Sequence, residues 1–467
     1  MKNSFKFSLL VTLVICNHSI AQKTKIYEQQ ILLRDIYQEL IEINTTDISG
    51  NTTHAANAMA ARLKAVGYAG EDVQILIPEE DSRKGNLIAR LKGTGEHMPL
   101  LLLAHLDVVE ARKEDWSFDP FKLTEEGGYF YGRGTTDDKA MAAIWIANLI
   151  LYKQEGFIPD RDLIVCLTAG EEGGNFNGVQ WLLSNHRNMI DAQYCLNEGG
   201  GGQIKNGKYL VNEVQVSEKV YQSYRLVVNN RGGHSSLPDK DNAIYHLAEG
   251  LTRLAKHDFP VKLIEGTRVF FERMSEIEKD QIAADMKAVL RMPPDTSAIS
   301  RLAQSHYYNA LMRTTCVATM LYAGHAENAL PQTATAIVNC RILPGESPEN
   351  VLSTLIDVLA DDTIEVSEIW EVTPSPPSPL VPEILNAIEQ VTEELWPGVP
   401  VIPTMLTGAT DGLQLRNAGI PTYGVSGLFD DIDDTRAHGQ DERIGVKALY
   451  ESQEFLYKLV KVISSGR

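Results

Sequence analysis

Two runs, Leu100-Leu-Leu-Leu-Ala104 and Leu163–Ala169, are apolar without alternation, and between them Lys139–Tyr152 reads as a helix. A strand that is apolar at every position needs cover on both faces, and a parallel pair of strands needs a crossover between them. Together the three segments predict an open α/β fold, a mixed and mostly parallel sheet flanked by helices. Val73–Ile77 and Leu87–Leu91 read as further strands. Ile26–Ile43 and Thr53–Val66 carry apolar residues three and four apart, the spacing of amphipathic helices.

Three apolar runs stop at polar residues and glycines. Leu100–Ala104 ends at His105-Leu106-Asp107, Leu163–Ala169 at Gly170-Glu171-Glu172-Gly173-Gly174, and Ala192–Asn197 at Glu198-Gly199-Gly200. Ligands of open α/β sheets bind beyond the carboxyl ends of the strands, so these side chains are expected to meet in one crevice. One imidazole among four carboxylates is stable there only with cations between them. Tyr131-Gly-Arg-Gly-Thr-Thr-Asp137-Asp138-Lys139 brings another carboxylate to the start of a helix, and Arg436-Ala437-His438-Gly439-Gln440-Asp441-Glu442 a second imidazole. A mixed His/carboxylate set suits zinc or a neighbouring transition metal better than calcium or magnesium, which prefer shells of oxygen alone.

From about Glu218 the texture changes. Tyr224–Asn229 and Thr333–Ile342 read as strands, Asn242–Lys256 and the more charged Glu276–Leu290 as helices, and Pro374, Pro376, Pro377, Pro379 and Pro382 make a stiff connector. The expected organisation is a catalytic domain in two parts, residues 22–217 and 373–467, interrupted by a smaller α+β domain over 218–372. With 43 Lys+Arg against 62 Asp+Glu the formal charge is −19, which speaks against a nucleic-acid partner.

Residues 1–21 are set apart as an export signal: Lys2 and Lys6, an apolar stretch Phe7–Cys16, and small residues at Ser19-Ile20-Ala21. The apolar stretch is well short of the ~20 residues that span a bilayer, so no stable membrane insertion is expected. The predicted location is periplasmic or secreted. Ile15 is bulky for a lipoprotein cleavage site ahead of Cys16. Cys166, Cys195, Cys316 and Cys340 have no CxxC spacing and read as buried thiols.

HLD at 105–107, GRGTTDDK at 132–139, EEGG at 171–174, NEGG at 197–200, GGHSS at 232–236, TGATDG at 407–412 and AHGQDE at 437–442 resemble, in order, the motifs of the dizinc metallopeptidases. That family includes carboxypeptidase S, aminoacylase, glutamate carboxypeptidase, and the acetylornithine and succinyl-diaminopimelate deacylases. The resemblance spans nearly all of residues 28–460. It implies two zinc ions, with cobalt or manganese as substitutes. His105 and Glu198 would each hold one side of the pair, Asp137 would bridge it, and Glu172 and His438 would complete it; which ion each of the five serves stays open. In the family a cis peptide often follows the bridging carboxylate.

The same resemblance implies roles for five more residues. Glu171 would be the general base that takes a proton from a metal-bound water and passes it to the leaving amine. Asp107, two residues past His105 and on the same face of an extended chain, would orient the imidazole. His234 of the inserted lid would stabilise the oxyanion, often across a dimer interface, so a homodimer through the lid is implied. Asn328 and Arg341 would grip a substrate carboxylate. The family has Asp two residues before that arginine, where this chain has Asn339.

Glu198, rather than Asp, at the third strand end leans toward carboxypeptidases and N-acyl amino acid deacylases, as does the extra helical material at Val261–Leu311. The expected activity is hydrolysis of an amide bond beside a free carboxylate in small peptides, of carboxypeptidase or dipeptidase type, with N-acyl amino acid hydrolysis as the alternative. The rival from another class is a binding protein on the same fold without metal. Against it stands the presence of all five ligand residues and Glu171 together.

Overall fold

In the computed structural model, which describes residues 26–465, the continuous apolar runs lie at the centre of a mixed sheet. The expected export signal lies outside the described residues. Strands β1 (Val73–Leu76), β2 (Asn86–Leu91), β3 (Leu100–His105), β4 (Leu163–Thr168) and β5 (Tyr194–Asn197) run in the order β1-β2-β4-β3-β5. β3 is parallel to both β4 and β5, while β2 is antiparallel to both β1 and β4. The sheet is thus mixed, parallel across β4-β3-β5 and again where Phe429–Asp431 pairs with Gly202–Lys205. Every residue of β3 and of β4 is buried, which is why neither run alternates.

Helices α1 (26–42), α2 (Thr52–Ala65) and α3 (Lys139–Glu155) accompany this sheet. α3 is the crossover between β3 and β4, and every residue from Lys139 to Tyr152 is buried. A helix apolar on all sides belongs inside. Trp145 Nε1 donates to Leu103 O of β3 at 3.0 Å, and the helix stops at Gly156, whose φ of 68° is a left-handed cap.

The chain divides into two compact units. One takes residues up to Asn212, Pro382–Pro400 and Val425 onward; the other takes Glu213–Val381 and Val401–Gly424. In the second unit, β6 (Val220–Asn229), β7 (Thr315–Ala323), β8 (Thr333–Ile342) and β9 (Ile364–Glu368) form an antiparallel sheet in the order β7-β8-β6-β9. Burial alternates strictly along β8 from Ala334. Its buried residues meet Leu247 of α4 (Ala243–Leu254) and Leu355 of α7 (Pro348–Leu359) in one apolar core, with Leu226 and Val228 of β6.

The expected helix Glu276–Leu290 is instead parts of two, α5 (Glu265–Ile277) and α6 (Asp280–Val289). Glu278 and Lys279 leave the helix at ψ values of 164° and 166°. Asp280 then opens α6, where the helix dipole favours a carboxylate. The cysteines differ from expectation in one pair. Cys316 and Cys340 are cross-strand partners on β7 and β8 and form a disulfide, while Cys166 and Cys195 are buried outside any disulfide. Two positions far apart in sequence come face to face only through the β7-β8 register.

The connector Thr373–Val381 has no regular structure and ends the first stretch of the second unit, which resumes at Val401–Gly424. Beyond it α8 (Pro382–Leu395) packs on α9 (Val446–Ile463), and α9 in turn covers α3, with Tyr152 and Tyr457 stacked at 5.0 Å. No helix among the described residues is long and apolar enough to cross a membrane.

Candidate metal centre

His105 ends β3, Glu171 and Glu172 follow β4, Glu198 follows β5, and Asp137 stands just before α3. The parallel register sets His105 beside Thr168 and Leu102 beside Leu196, so the three strand ends are level. The turn after β4 needs glycine: Gly170 has φ +80°, and a Cβ there would lie 2.1 Å from Phe176 O. The last contributor, His438, sits in a loop of the same unit with φ 61°, a left-handed conformation uncommon outside glycine.

These residues converge. His105 Nε2 is 2.9 Å from Asp137 Oδ1, and His438 Nε2 is 3.1 Å from Asp137 Oδ2 and 2.9 Å from Glu172 Oε2. Two groups result, His105/Asp137/Glu198 and Asp137/Glu172/His438, each with its ligand atoms within 4.8 Å of one another. Asp137 belongs to both. His105 and Glu198 fall together, not on opposite sides as the resemblance implied. The peptide bond Asp137–Asp138 is cis, as in the family.

The electrostatics of the cluster are those of a site built for cations. Burial, then the charge of Asp137, pushes the Glu198 carboxyl well up, and burial raises Glu172 to about 7. Burial would lower His105, but the hydrogen bond and charge of Asp137, with Glu198 and Glu171, lift it well above the ordinary imidazole range. The Asp137 hydrogen bond holds His438 up at about 9. Asp137 itself is driven down by its two histidines against its burial. Glu172 Oε1 and Asp138 Oδ2 are buried and without a hydrogen-bond partner. An imidazole and carboxylates in each group, with one shared carboxylate, fit a pair of metal ions of the transition series.

Asp107 acts differently from expectation. His105 Nδ1 lies 2.9 Å from the backbone carbonyl of Asp107 and 3.9 Å from its carboxylate. The carboxylate accepts instead from the N–H of Gly170 at 2.7 Å and of Glu172 at 3.0 Å. The same residue therefore fixes the imidazole with its main chain and the Glu171–Glu172 turn with its side chain.

The second unit holds the other expected residues. His234 and Asn328 come together on a two-stranded ribbon, with Ser235 N donating to Asn328 O at 3.1 Å. Ser236 N donates to His234 Nδ1 at 3.2 Å, which leaves Nε2–H as the donor edge of the ring. Arg341 lies apart from this ribbon on β8.

One organising residue carried no role in the sequence reading. Glu442 is 1% exposed. Its Oε2 accepts from Arg133 Nη1 at 2.6 Å and Gly134 N at 3.1 Å, and its Oε1 from Thr136 N at 2.7 Å, Thr136 Oγ1 at 3.0 Å and Asp137 N at 3.3 Å. A single buried carboxylate holds the whole turn that presents Asp137. Its signal was present, since it ends the AHGQDE motif and its partners fill GRGTTD.

The model of peptidase family M20/M25/M40 matches residues 101–462. The chain is 31% identical over 373 residues, 78% of its own length and 72% of the relative's, to the N-fatty-acyl-amino acid synthase/hydrolase PM20D1 of Xenopus tropicalis. It is 28% identical over 392 residues, 80% of its length and 74% of the relative's, to the probable carboxypeptidase S-like 2 of Dictyostelium discoideum. Among solved structures it resembles the M20 family metallo-carboxypeptidase Sso-CP2 from Sulfolobus solfataricus, with TM-score 0.68 and 17% identity over 92% of this chain and 99% of that one. It also resembles the Bacillus subtilis YXEP protein, a dinuclear metal binding peptidase, with TM-score 0.60 and 13% identity over 94% and 98%. At such identities these two likenesses establish the fold. The sequence match does the rest: the chain belongs to peptidase family M20/M25/M40 and is a metal-dependent hydrolase of that family.

Proposed function

We propose that this protein is an exported hydrolase that cuts an amide bond beside a free carboxylate, with N-acyl amino acids as its first substrate class. The observation that carries the reading is the pair of ligand groups sharing Asp137, their atoms within 4.8 Å of one another. His105, Asp137 and Glu198 would hold one ion and Asp137, Glu172 and His438 the other, zinc being the best match to the donors. When bound, the ions supply Lewis acidity toward the amide carbonyl. Glu171, whose charge already bears on His105 and Glu198, takes a proton from the attacking water and returns it to the leaving amine. His234 offers Nε2–H to the oxyanion, and Arg341 with Asn328 holds the substrate carboxylate.

The N-acyl reading is supported by the relative at 31% identity, an N-fatty-acyl-amino acid synthase/hydrolase. Small peptides are the second reading, supported by the carboxypeptidase S-like relative and by glutamate, not aspartate, at position 198. A homodimer through the second unit is part of the proposal. β7 is the edge of its sheet and exposes Val317, Leu321 and Tyr322 by 60%, 62% and 56%.

The test is a hydrolysis panel run with zinc, pairing N-acyl amino acids and dipeptides with their C-terminal carboxamides. Glu171→Gln should lose roughly 10²–10⁴-fold in kcat and keep its metal, whereas His105→Ala should lose metal. Equal activity of Glu171→Gln and wild type would overturn the mechanism.

A further inference from the structure

Arg341 on β8 faces Tyr221 on β6 as a direct cross-strand pair, and Asn339 likewise faces Ser223. The side-chain amide of Asn339 is committed there: Nδ2 donates to Ser223 Oγ at 3.1 Å and reaches Gln222 O at 3.5 Å. Among the described residues Arg341 forms no ion pair. It is held by Thr407 O, 3.4 Å from Nη1, and by the face of Tyr221, whose centroid lies 4.5 Å from the guanidinium carbon. Behind Tyr221 stands Trp370, with ring centroids 5.7 Å apart and planes 13° from parallel. The stack therefore runs guanidinium, phenol, indole.

A guanidinium can be held in place in two ways. A carboxylate beside it takes two of its five N–H donors and cancels its charge. An aromatic face fixes its plane through the ring quadrupole and takes none of them. In this chain the aspartate that the family resemblance calls for is an asparagine turned to Ser223, and an aromatic face has taken over its task. One donor goes to Thr407 O, and the rest of the fork stays available with its charge intact.

We propose that Tyr221, braced by Trp370, is the positioning residue that presents the open donor edge of Arg341 to the substrate carboxylate. This rests on the reading of Arg341 as the carboxylate grip. The two can fail separately.

Kinetics of wild type, Tyr221→Ala, Tyr221→Phe and Arg341→Ala on N-acetylleucine and N-acetylleucinamide, and on Ala-Leu and its carboxamide, test it. Tyr221→Ala should raise KM for the free acids by about 5–30-fold with kcat unchanged, equivalent to about 1–2 kcal/mol at 1.4 kcal/mol per tenfold. KM for the carboxamides should not move. Tyr221→Phe keeps the ring face and should stay within about twofold of wild type on every probe, which separates positioning from loss of fold. A free-acid preference lost in Arg341→Ala but kept in Tyr221→Ala would overturn this proposal alone. An equal loss on acids and carboxamides in Tyr221→Ala, or a loss in Tyr221→Phe as large as in Tyr221→Ala, would also overturn it. Indifference of the wild type to the free carboxylate would overturn the parent reading and this one with it.

Discussion

Replacing Glu442 with glutamine tests whether the turn carrying Asp137 is built by one buried carboxylate. The substitution keeps the shape of a side chain that is 1% exposed and removes the charge opposite Arg133, itself 3% exposed. Both carboxylate oxygens face only donors, so the amide nitrogen meets an N–H whichever way it turns. Turned toward Arg133, it loses a charge-assisted bond of about 1.5–3 kcal/mol and leaves the Gly134 N–H without a partner, at about 1–3 kcal/mol. Together these come to about 2.5–6 kcal/mol, which brackets the about 3–5 kcal/mol usual for removing one partner of a buried ion pair, and that narrower range sets the expected loss. In a unit of roughly 250 residues, each kcal/mol moves Tm by about 2 °C, so the metal-free variant should melt about 6–10 °C lower. Zinc affinity should fall about 10–100-fold, as when an outer partner of a metal ligand is lost. Calorimetry on metal-free protein reads the first quantity, and competition with a chromophoric chelator the second. A Tm drop under about 2 °C together with unchanged zinc affinity would refute the assignment.

Two further outcomes concern stability of the second unit. Lys219 is 1% exposed, its Nζ bonded to Arg313 O at 2.7 Å, and burial brings its ammonium down to about 7. Unfolded, it titrates near about 10.4, so between roughly pH 7 and 10 the unfolded chain binds the extra proton and this residue's contribution to stability rises with pH. Lys219→Met removes the buried charge, so its Tm relative to wild type should be most favourable below pH 7 and decline toward pH 10; a difference that does not vary with pH contradicts the reading. The Cys316–Cys340 disulfide closes a separation of 24 residues, a constraint worth about 3 kcal/mol in the unfolded chain. Dithiothreitol should lower the Tm of wild type and leave that of Cys316→Ser unmoved, and an equal response of both would count against it.

The parts legible in the sequence were those written in local pattern. β3 and β4 are buried on both faces, so their residues never alternate, and their ends could be read directly as His105 and Glu171–Glu172. α3 is buried all round and read as a crossover for the same reason. What pattern could not carry was partnership. The Cys316–Cys340 bond depends on the register of two strands, and β2 lies against β4 through an antiparallel pairing that no run of residues announces. Asp107 was placed correctly beside His105, yet which of its groups touches the ring is set by the Gly170 turn, whose N–H takes the carboxylate away. Glu442 carries no local mark of its role, because a glutamate at a loop end resembles any solvated acid until its six donors are seen around it.

The turn that Glu442 organises has a consequence for the order of events as the chain is made. Glu442 and Asp137 are 305 residues apart, which at about 5–20 residues per second separates their synthesis by roughly 15–60 seconds. His105, Asp137 and Glu198 are all made by position 198, but the turn that presents Asp137 lacks its support until Glu442 follows. Glu172 waits for His438, and Asp137 for its Glu442 support, until nearly the last helix is synthesised. Because both groups share Asp137, neither is fully built until the C-terminal segment has joined the first. Metal binding by the second group therefore requires that the segment carrying His438 and Glu442 has packed onto the turn at 132–137.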